Sequence, residues 1–358
     1  MNAPRDNAAL TVPIRCAVED LPRYKPGKSA PGAVKMSSNE MPDGPSTKVV
    51  QAMTKALESV NRYPDLTATP VRQAVAERFD VAPEQVCVGT GSSALLVAAL
   101  NVVCEPGTRV VYPWRSFESY PIAIPSVHGV GVPIPLLADG AHDLEALVAS
   151  ANEDNVGALV LCSPNNPTGP ALTFEQVHDV VERVNPHVLI LVDEAYIDFV
   201  TDPCVSTAIP LISEHSNVLV MRTFSKVHAL AGIRIGYAIG HEDLIGAIQA
   251  VLIPFGVSTV AQAGALASLT EAEEIHTQAK RIAAERDRMI AELRDAGFEV
   301  PDSQANFFFL PGAGNEVVDA CAAAGLIVRP FADGVRVSVA TPDMNDEFLK
   351  VTRPLAGC

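Results

Sequence analysis

Lys226 is the only lysine between Lys55 and Lys280. It follows Asn217-Val218-Leu219-Val220-Met221, an apolar run that reads as a buried strand, and stands beside Ser225 ahead of a Gly-Ile-Arg-Ile-Gly segment that contains Arg234. A lysine kept partly desolvated at a strand end has a lowered pKa, and its free amine attacks carbonyls. The alternative is a surface lysine on a loop. Asp193 closes another apolar run, Val188–Val192. A carboxylate there is poor company unless paired, either with an arginine or with a heterocyclic nitrogen that it keeps protonated. Three residues on, Tyr196 supplies a phenol. Asn166 follows Gly157–Cys162 and places an amide able to donate to a ring oxygen, although Asn-Pro and Thr-Gly in Ser163–Gly169 are turn signals in their own right.

Two further groups lie after apolar runs. Gly91-Ser92-Ser93 follows Val86–Val88 and opens a helix, where small residues let backbone N–H groups approach an anion. A plain tight turn explains the same residues. The segment is neither a Walker loop nor GxGxxG, and the next strand ends in Tyr112-Pro113 rather than an acid, which argues against a dinucleotide. Trp114, Phe117 and Tyr120 put three aromatics within seven residues of a chain with 5% aromatics. They are either core or a surface for stacking on a planar ring.

Continuous apolar strands at Val86–Val88, Arg109–Tyr112, Gly157–Cys162, Val188–Val192 and Val218–Met221, with helices between them, predict a mostly parallel α/β sheet buried on both faces. In such sheets ligands sit beyond the carboxyl ends of the strands. All the groups above fall there. Together they offer a phosphate cup, a ring slot, a partner for a ring nitrogen, donors for a ring hydroxyl and an amine for an aldehyde. Pyridoxal 5'-phosphate satisfies the whole set.

The spacing predicts helices from Ser46 to Val60 and from Thr69 to Phe79, and two short helices around Pro254-Phe255-Gly256 within the uncharged span Leu244–Leu269. A charged helix over Glu271–Ala296 leads to a small α+β unit. The expected division is an arm over 1–45 that joins the small domain, a large domain over 46–270 and a small domain over 271–358. The formal charge of -16 argues against nucleic acid and anionic membranes as partners. Seven cysteines without CxxC spacing suit a reducing cytoplasm and give no zinc site. The N-terminus lacks an apolar signal core.

Asn-Glu-x-Pro (39–42), Asn-Arg-Tyr-Pro-Asp (61–65), Ser-Pro-Asn-Asn-Pro-Thr-Gly (163–169), Asp-Glu-Ala-Tyr (193–196), Arg-Thr-Phe-Ser-Lys (222–226), Leu-Ala-Gly-Ile-Arg-Ile-Gly-Tyr (230–237), Ala-Asn-Phe (305–307) and Val-Arg-Val-Ser-Val (335–339) run in order along the chain. In this the chain resembles the histidinol-phosphate aminotransferase family, a fold-type I pyridoxal-phosphate group. Residues 114–120 and 303–307 are more similar to its actinobacterial aromatic, or phenylalanine, aminotransferase branch. The resemblance implies that Lys226 binds the cofactor through its amine and shuttles the substrate proton, and that Asp193 holds the ring-nitrogen proton. It implies that Asn166 and Tyr196 bind the ring hydroxyl and that Phe117 stacks on the ring. Gly91, Ser92, Ser93, Ser225 and Arg234 would hold the phosphate. Arg336 would pair with the substrate carboxylate. Tyr63 would reach the phosphate of a partner subunit, so that a homodimer shares its active sites. Arg329, Asn39, Tyr24 and Trp114 are the remaining substrate candidates. Three departures bear on the side-chain pocket: Met41 where relatives carry Asn, Val227-His228 for Ala-Phe or Ala-Tyr, and a short interval from Arg329 to Arg336.

The expectation is therefore an aromatic amino acid aminotransferase using an acceptor such as 2-oxoglutarate. The alternatives are histidinol-phosphate aminotransferase proper and a phosphothreonine-type decarboxylase on the same scaffold. A regulator with an aminotransferase-like ligand domain needs an added DNA-binding segment, for which the irregular residues before the first helix leave no room.

Overall fold

The computed structural model describes residues 12–19, 21 and 32–356. Its first strand, β1 (Val34–Lys35), pairs in parallel with a short strand late in the chain. A seven-stranded sheet follows, built from β2 (Val86–Gly89), β3 (Arg109–Trp114), β4 (Val130–Pro135), β5 (Val156–Cys162), β6 (Leu189–Asp193), β7 (Val218–Thr223) and β8 (Gly236–Gly240). The order across the sheet is β2-β8-β7-β6-β5-β3-β4. β8 runs antiparallel to both of its neighbours, and the other pairings are parallel.

The sheet is mostly parallel because its central strands have no polar face. Every residue of β2, β6, β7 and β8 is buried. Val111, Leu159, Leu161, Ile190, Val192, Val218 and Val220 pack on one side. Val110, Ala158, Val160, Leu189, Leu191, Leu219 and Met221 pack on the other. Helices must cover both sides to remove this surface from water.

Two strands of this sheet escaped the sequence expectation. β4 contains Pro133 and Pro135 and sits at the sheet edge, where a missing N–H leaves no neighbour unpaired. β8 is short and bracketed by glycines. A Cβ on Gly240 would lie 2.8 Å from Leu219 Cδ1, so the glycine marks close packing rather than a turn.

The helices largely follow their start signals. Ser46 caps Thr47–Ala56 by accepting from the Val49 N–H, after which a 3-10 turn over Leu57–Ser59 takes up the rest of the expected helix. Thr69–Phe79 is helical as expected. Glu242–Val251 and Thr259–Leu269 are the two helices around the Pro254 turn. No helix among the described residues is long and apolar enough to cross a membrane.

The long helix Ala272–Asp295 leads to a second, antiparallel sheet of β9 (Phe307–Pro311), β11 (Arg329–Phe331) and β12 (Gly334–Ser338), in the order β11-β12-β9. β10 (Leu326–Ile327) is the partner of β1. Met36, just after β1, is buried in the core of this sheet with Phe308, Leu310, Val335 and Val337. The N-terminal segment is thus tied to the C-terminal sheet by backbone pairing and by an apolar side chain.

Candidate active site

The parallel strands end together. Cys162 of β5 lies opposite Asp193 of β6, and Asp193 lies opposite Met221 of β7. Beyond these ends opens a cavity of about 410 Å³ whose lining includes Ser92, Ser93, Phe117, Asn166, Asp193, Tyr196, Ser225, Lys226 and Arg234. A smaller recess beside it brings Asn39, Arg329 and Arg336 to Lys226 and Tyr196.

Asp193 was readable as paired with either an arginine or a ring nitrogen. The nearby arginine is taken by its neighbour: Arg222 donates to Glu194 at 2.9 Å, and both side chains are buried. Asp193 receives one hydrogen bond at Oδ2, from the Tyr120 hydroxyl at 3.0 Å. Its Oδ1 is buried with no hydrogen-bond partner among the described residues. Burial pushes the carboxyl up to about 6, against the lowering effect of the Tyr120 hydroxyl, the Ala195 N–H and the Lys226 charge. An orphaned carboxylate oxygen at a cavity wall suits a cationic N–H donor.

Lys226 is the complementary group. Burial pushes its amine down to about 7, and the positive charge of Arg336 acts in the same direction. The amine donates to the Ser38 carbonyl at 3.2 Å and lies 5.3 Å from the centre of the Tyr196 ring. It is a nucleophile of which about half is uncharged near neutral pH.

The anion cup is built from backbone and a guanidinium. Gly91 has φ +87° and stands immediately before the helix Ser92–Val103, whose first N–H groups open on the cavity. A Cβ on Gly91 would lie 2.7 Å from Arg234 Nη2, so only glycine lets that guanidinium approach. Arg234 is steadied by donating to the Ala231 carbonyl at 2.7 Å. Phe117 meets Tyr120 edge-on, at 5.7 Å and 88°, on the cavity wall.

A second layer fixes the substrate side. Arg336 donates to Asn166 Oδ1 and to the Ser37 carbonyl. With its oxygen so occupied, Asn166 has its NH2 left as donor. Asn39, at φ +55°, donates from Nδ2 to the Tyr196 hydroxyl at 3.0 Å and exchanges two hydrogen bonds with Ser338. Burial raises the Tyr196 phenol, so it stays protonated. Arg329 and Arg336 are cross-strand partners in the β11–β12 hairpin, and Arg329 is paired with Glu118 at 2.7 Å.

The remaining candidates lie elsewhere. Trp114 is half-buried against Tyr112 and outside the lining of both cavities. Tyr63 is 83% exposed and rests on Phe255, 4.8 Å between ring centres. Tyr24 lies outside the described residues. Of the departures, His228 is a core residue bonded to Ser268 at 2.7 Å, and Met41 packs in the apolar cluster of Tyr196, Phe199 and Phe307. Tyr120, Glu118 and Ser38 belong to the site without having been singled out as ligands. Tyr120 was visible only as an aromatic, because its hydroxyl contact to Asp193 spans 73 residues.

This chain belongs to the aminotransferase class I and II family, whose model matches residues 31–351. Its relatives narrow the comparison. It is 43% identical over 349 residues to a protein of Mycobacterium tuberculosis named aromatic amino acid aminotransferase, covering 96% of this chain and 98% of that one. Its identity to a protein of the same name from Mycolicibacterium vanbaalenii is 41% over 347 residues, again covering 96% and 98%. Among solved structures it resembles histidinol-phosphate aminotransferase from Sinorhizobium meliloti in complex with pyridoxal-5'-phosphate. There the TM-score is 0.88 at 25% identity, over 97% of this chain and 100% of that one. The fold is that of the fold-type I pyridoxal-phosphate aminotransferases, and the chain is an aminotransferase.

Proposed function

We propose that this enzyme binds pyridoxal 5'-phosphate at the strand-end cavity and moves an amino group between an aromatic amino acid and a 2-oxo acid such as 2-oxoglutarate. The observation that carries the cofactor reading is the orphaned Asp193 Oδ1 in the same cavity as the Lys226 amine, which burial depresses to about 7. When bound, the cofactor supplies an aldehyde that takes up the amine and a ring that takes up electrons from the Cα–H bond. Asp193 holds the proton on the ring nitrogen, while Tyr196 and Asn166 donate to the ring hydroxyl. Phe117 fixes the plane of the ring. The Gly91-Ser92-Ser93 turn, Ser225 and Arg234 bind the phosphate. Arg336 binds the substrate carboxylate and so aims the Cα proton at Lys226, which removes it as a neutral base. Arg329 and Asn39 complete the substrate side.

The aromatic preference rests on the relatives' names and on the charge state of the recess. Glu118 offsets the charge of Arg329, and an offset guanidinium favours a dianionic side chain less than an unopposed one. A phenyl ring moved out of water is worth roughly 2–3 kcal/mol. Amination of phenylpyruvate should therefore exceed that of pyruvate by up to about a hundredfold in kcat/KM. The deciding experiment compares phenylpyruvate with imidazole-acetol phosphate, glutamate being the donor for both. A tenfold or greater advantage for the imidazole substrate would replace this reading with histidinol-phosphate aminotransferase.

The exposed Tyr63 and Ile253, with Leu66, Val97, Val251 and Phe255, lie at or around an apolar groove of about 490 Å³. This supports a homodimer with shared sites, Tyr63 reaching the partner's phosphate, and the absence of CxxC spacing among its seven cysteines fits a cytoplasmic enzyme. The pairing of β1 with β10 and the burial of Met36 in the core of the small sheet support treating residues 46–270 as the large cofactor-binding domain and 271–358, joined by the arm 1–45, as the small one. Light scattering of the purified enzyme tests the dimer.

A further inference from the structure

A cluster of possible metal ligands lies at the other end of the parallel strands. The helix Phe174–Arg183 carries His178 and Glu182 four residues apart, hence on one face. The chain after the 3-10 turn Ile209–Ser213 brings His215 to that face, its ring 6.3 Å from the His178 ring. His215 Nε2 lies 3.2 Å from Glu182 Oε1, and His178 Nε2 lies 3.8 Å from the same oxygen. One ligand-capable atom from each residue falls within 4.8 Å of the other two. Ligands about 2.0–2.2 Å from a tetrahedral zinc stand about 3.3–3.6 Å apart. The two distances to Glu182 straddle that value.

A second observation points to a ligand. His215 Nε2 is buried and makes no hydrogen bond among the described residues, although a carboxylate oxygen is its neighbour. A buried ring nitrogen left unsatisfied is costly, and a cation shared with Glu182 would satisfy both groups. The backbone holds the arrangement in place: His215 N–H donates to the Leu211 carbonyl and Val218 N–H to the His215 carbonyl. Arg183, the cation at the end of the same helix, is occupied by Asp179 and Glu145.

We propose that His178, Glu182 and His215 form a site for a divalent transition metal of the zinc class, with solvent in the fourth position. Two imidazoles and one carboxylate suit zinc or cobalt and disfavour magnesium and calcium, which take oxygen ligands. The metal would fasten the helix Phe174–Arg183 to the lead-in of β7. It lies about 20 Å from Lys226, since the six residues of β7 separate them. The site is therefore structural, and the chemistry at Lys226 does not use it.

The test uses tag-free holoenzyme stripped of metal by a chelator. Titration with cobalt(II) should give one equivalent per chain, with the intense visible ligand-field band of tetrahedral coordination, to the red of cofactor absorption. Zinc should displace it, and magnesium should not. His178→Ala changes a half-exposed helical side chain, so the fold survives it. That variant and Glu182→Gln should each weaken zinc binding tenfold or more, remove the zinc-dependent rise in thermal midpoint and leave turnover of the stripped enzyme unchanged. A cobalt band that persists in His178→Ala overturns the proposal. So does absence of zinc binding by the wild type at roughly a hundredfold excess of metal.

Discussion

Asp193→Asn should have opposite effects on stability and on function. In the cofactor-free protein, burial holds the Asp193 carboxyl at about 6, against 3.8 for the group in water. That difference corresponds to about 3 kcal/mol against the ionised form in the folded state. Below about pH 4 both folded and unfolded states are protonated, and the penalty is absent. Between there and pH 6 the folded state retains a proton that the unfolded state has lost, so stability falls as pH rises. Above pH 6 the full penalty applies. Asparagine keeps the shape and an acceptor for the Tyr120 hydroxyl, but it does not ionise. The cofactor-free variant should therefore be more stable than the parent at pH 8, by about 1–3 kcal/mol once solvent in the cavity is allowed for. The gain should vanish near pH 4. Turnover of the cofactor-loaded variant should drop by several orders of magnitude, because a neutral ring nitrogen takes up electrons poorly, and cofactor affinity should fall. Thermal midpoints of the cofactor-free proteins at the two pH values, with steady-state rates, measure both arms. A stability difference independent of pH would mean that Asp193 acts as a structural hydrogen-bonding residue. Unchanged turnover would mean that its partner is not the ring.

Lys226→Ala should abolish transamination in a folded protein whose cofactor borohydride cannot fix covalently; near-parental turnover would remove Lys226 from the mechanism. Covalent capture of the cofactor aldehyde by cofactor-free enzyme should accelerate as pH rises through about 7 and then level off, following the depressed lysine. A rate still climbing tenfold per pH unit at pH 9 would show an ordinary lysine. Glu118→Gln removes the negative partner of Arg329 and should raise kcat/KM for acidic 2-oxo acids relative to phenylpyruvate by about tenfold; an unchanged ratio would place Arg329 outside side-chain recognition.

Much of the site was legible because one rule, that ligands gather beyond the ends of parallel strands, could be applied to visible apolar runs. Asp193, Asn166, Lys226 and the Gly91 turn all lie within five residues of the ends of such runs, and the structure brings them into one cavity. Local sequence could not tell which of two adjacent acids is paired. Asp193 and Glu194 look alike until Arg222, 28 residues from Glu194, reaches one of them. Trp114 and Phe117 were equally plausible ring-stacking residues, yet only Phe117 faces the cavity, since the turn after β3 decides which side chain points inward. β4 was hidden by its prolines and β8 by its glycines, both being exceptions to strand composition that depend on neighbouring strands. The spacing of His178 and Glu182 was visible in the sequence, but its third member arrives from beyond the next strand, β6, 33 residues after Glu182.

The hydrogen bonds between Asn39 and Ser338 join residues 299 apart, and the same distance separates Ser37 from Arg336. A ribosome that has just released Lys226 has still to make more than a hundred residues before Ser338 emerges, roughly 5–20 s of synthesis. During that time Lys226 lacks the Arg336 charge that helps to depress it. Its amine is fully depressed only when the last strand is in place, and that strand brings Arg336, the candidate partner of the substrate carboxylate. Reactivity and selectivity thus mature together, late in the birth of the chain.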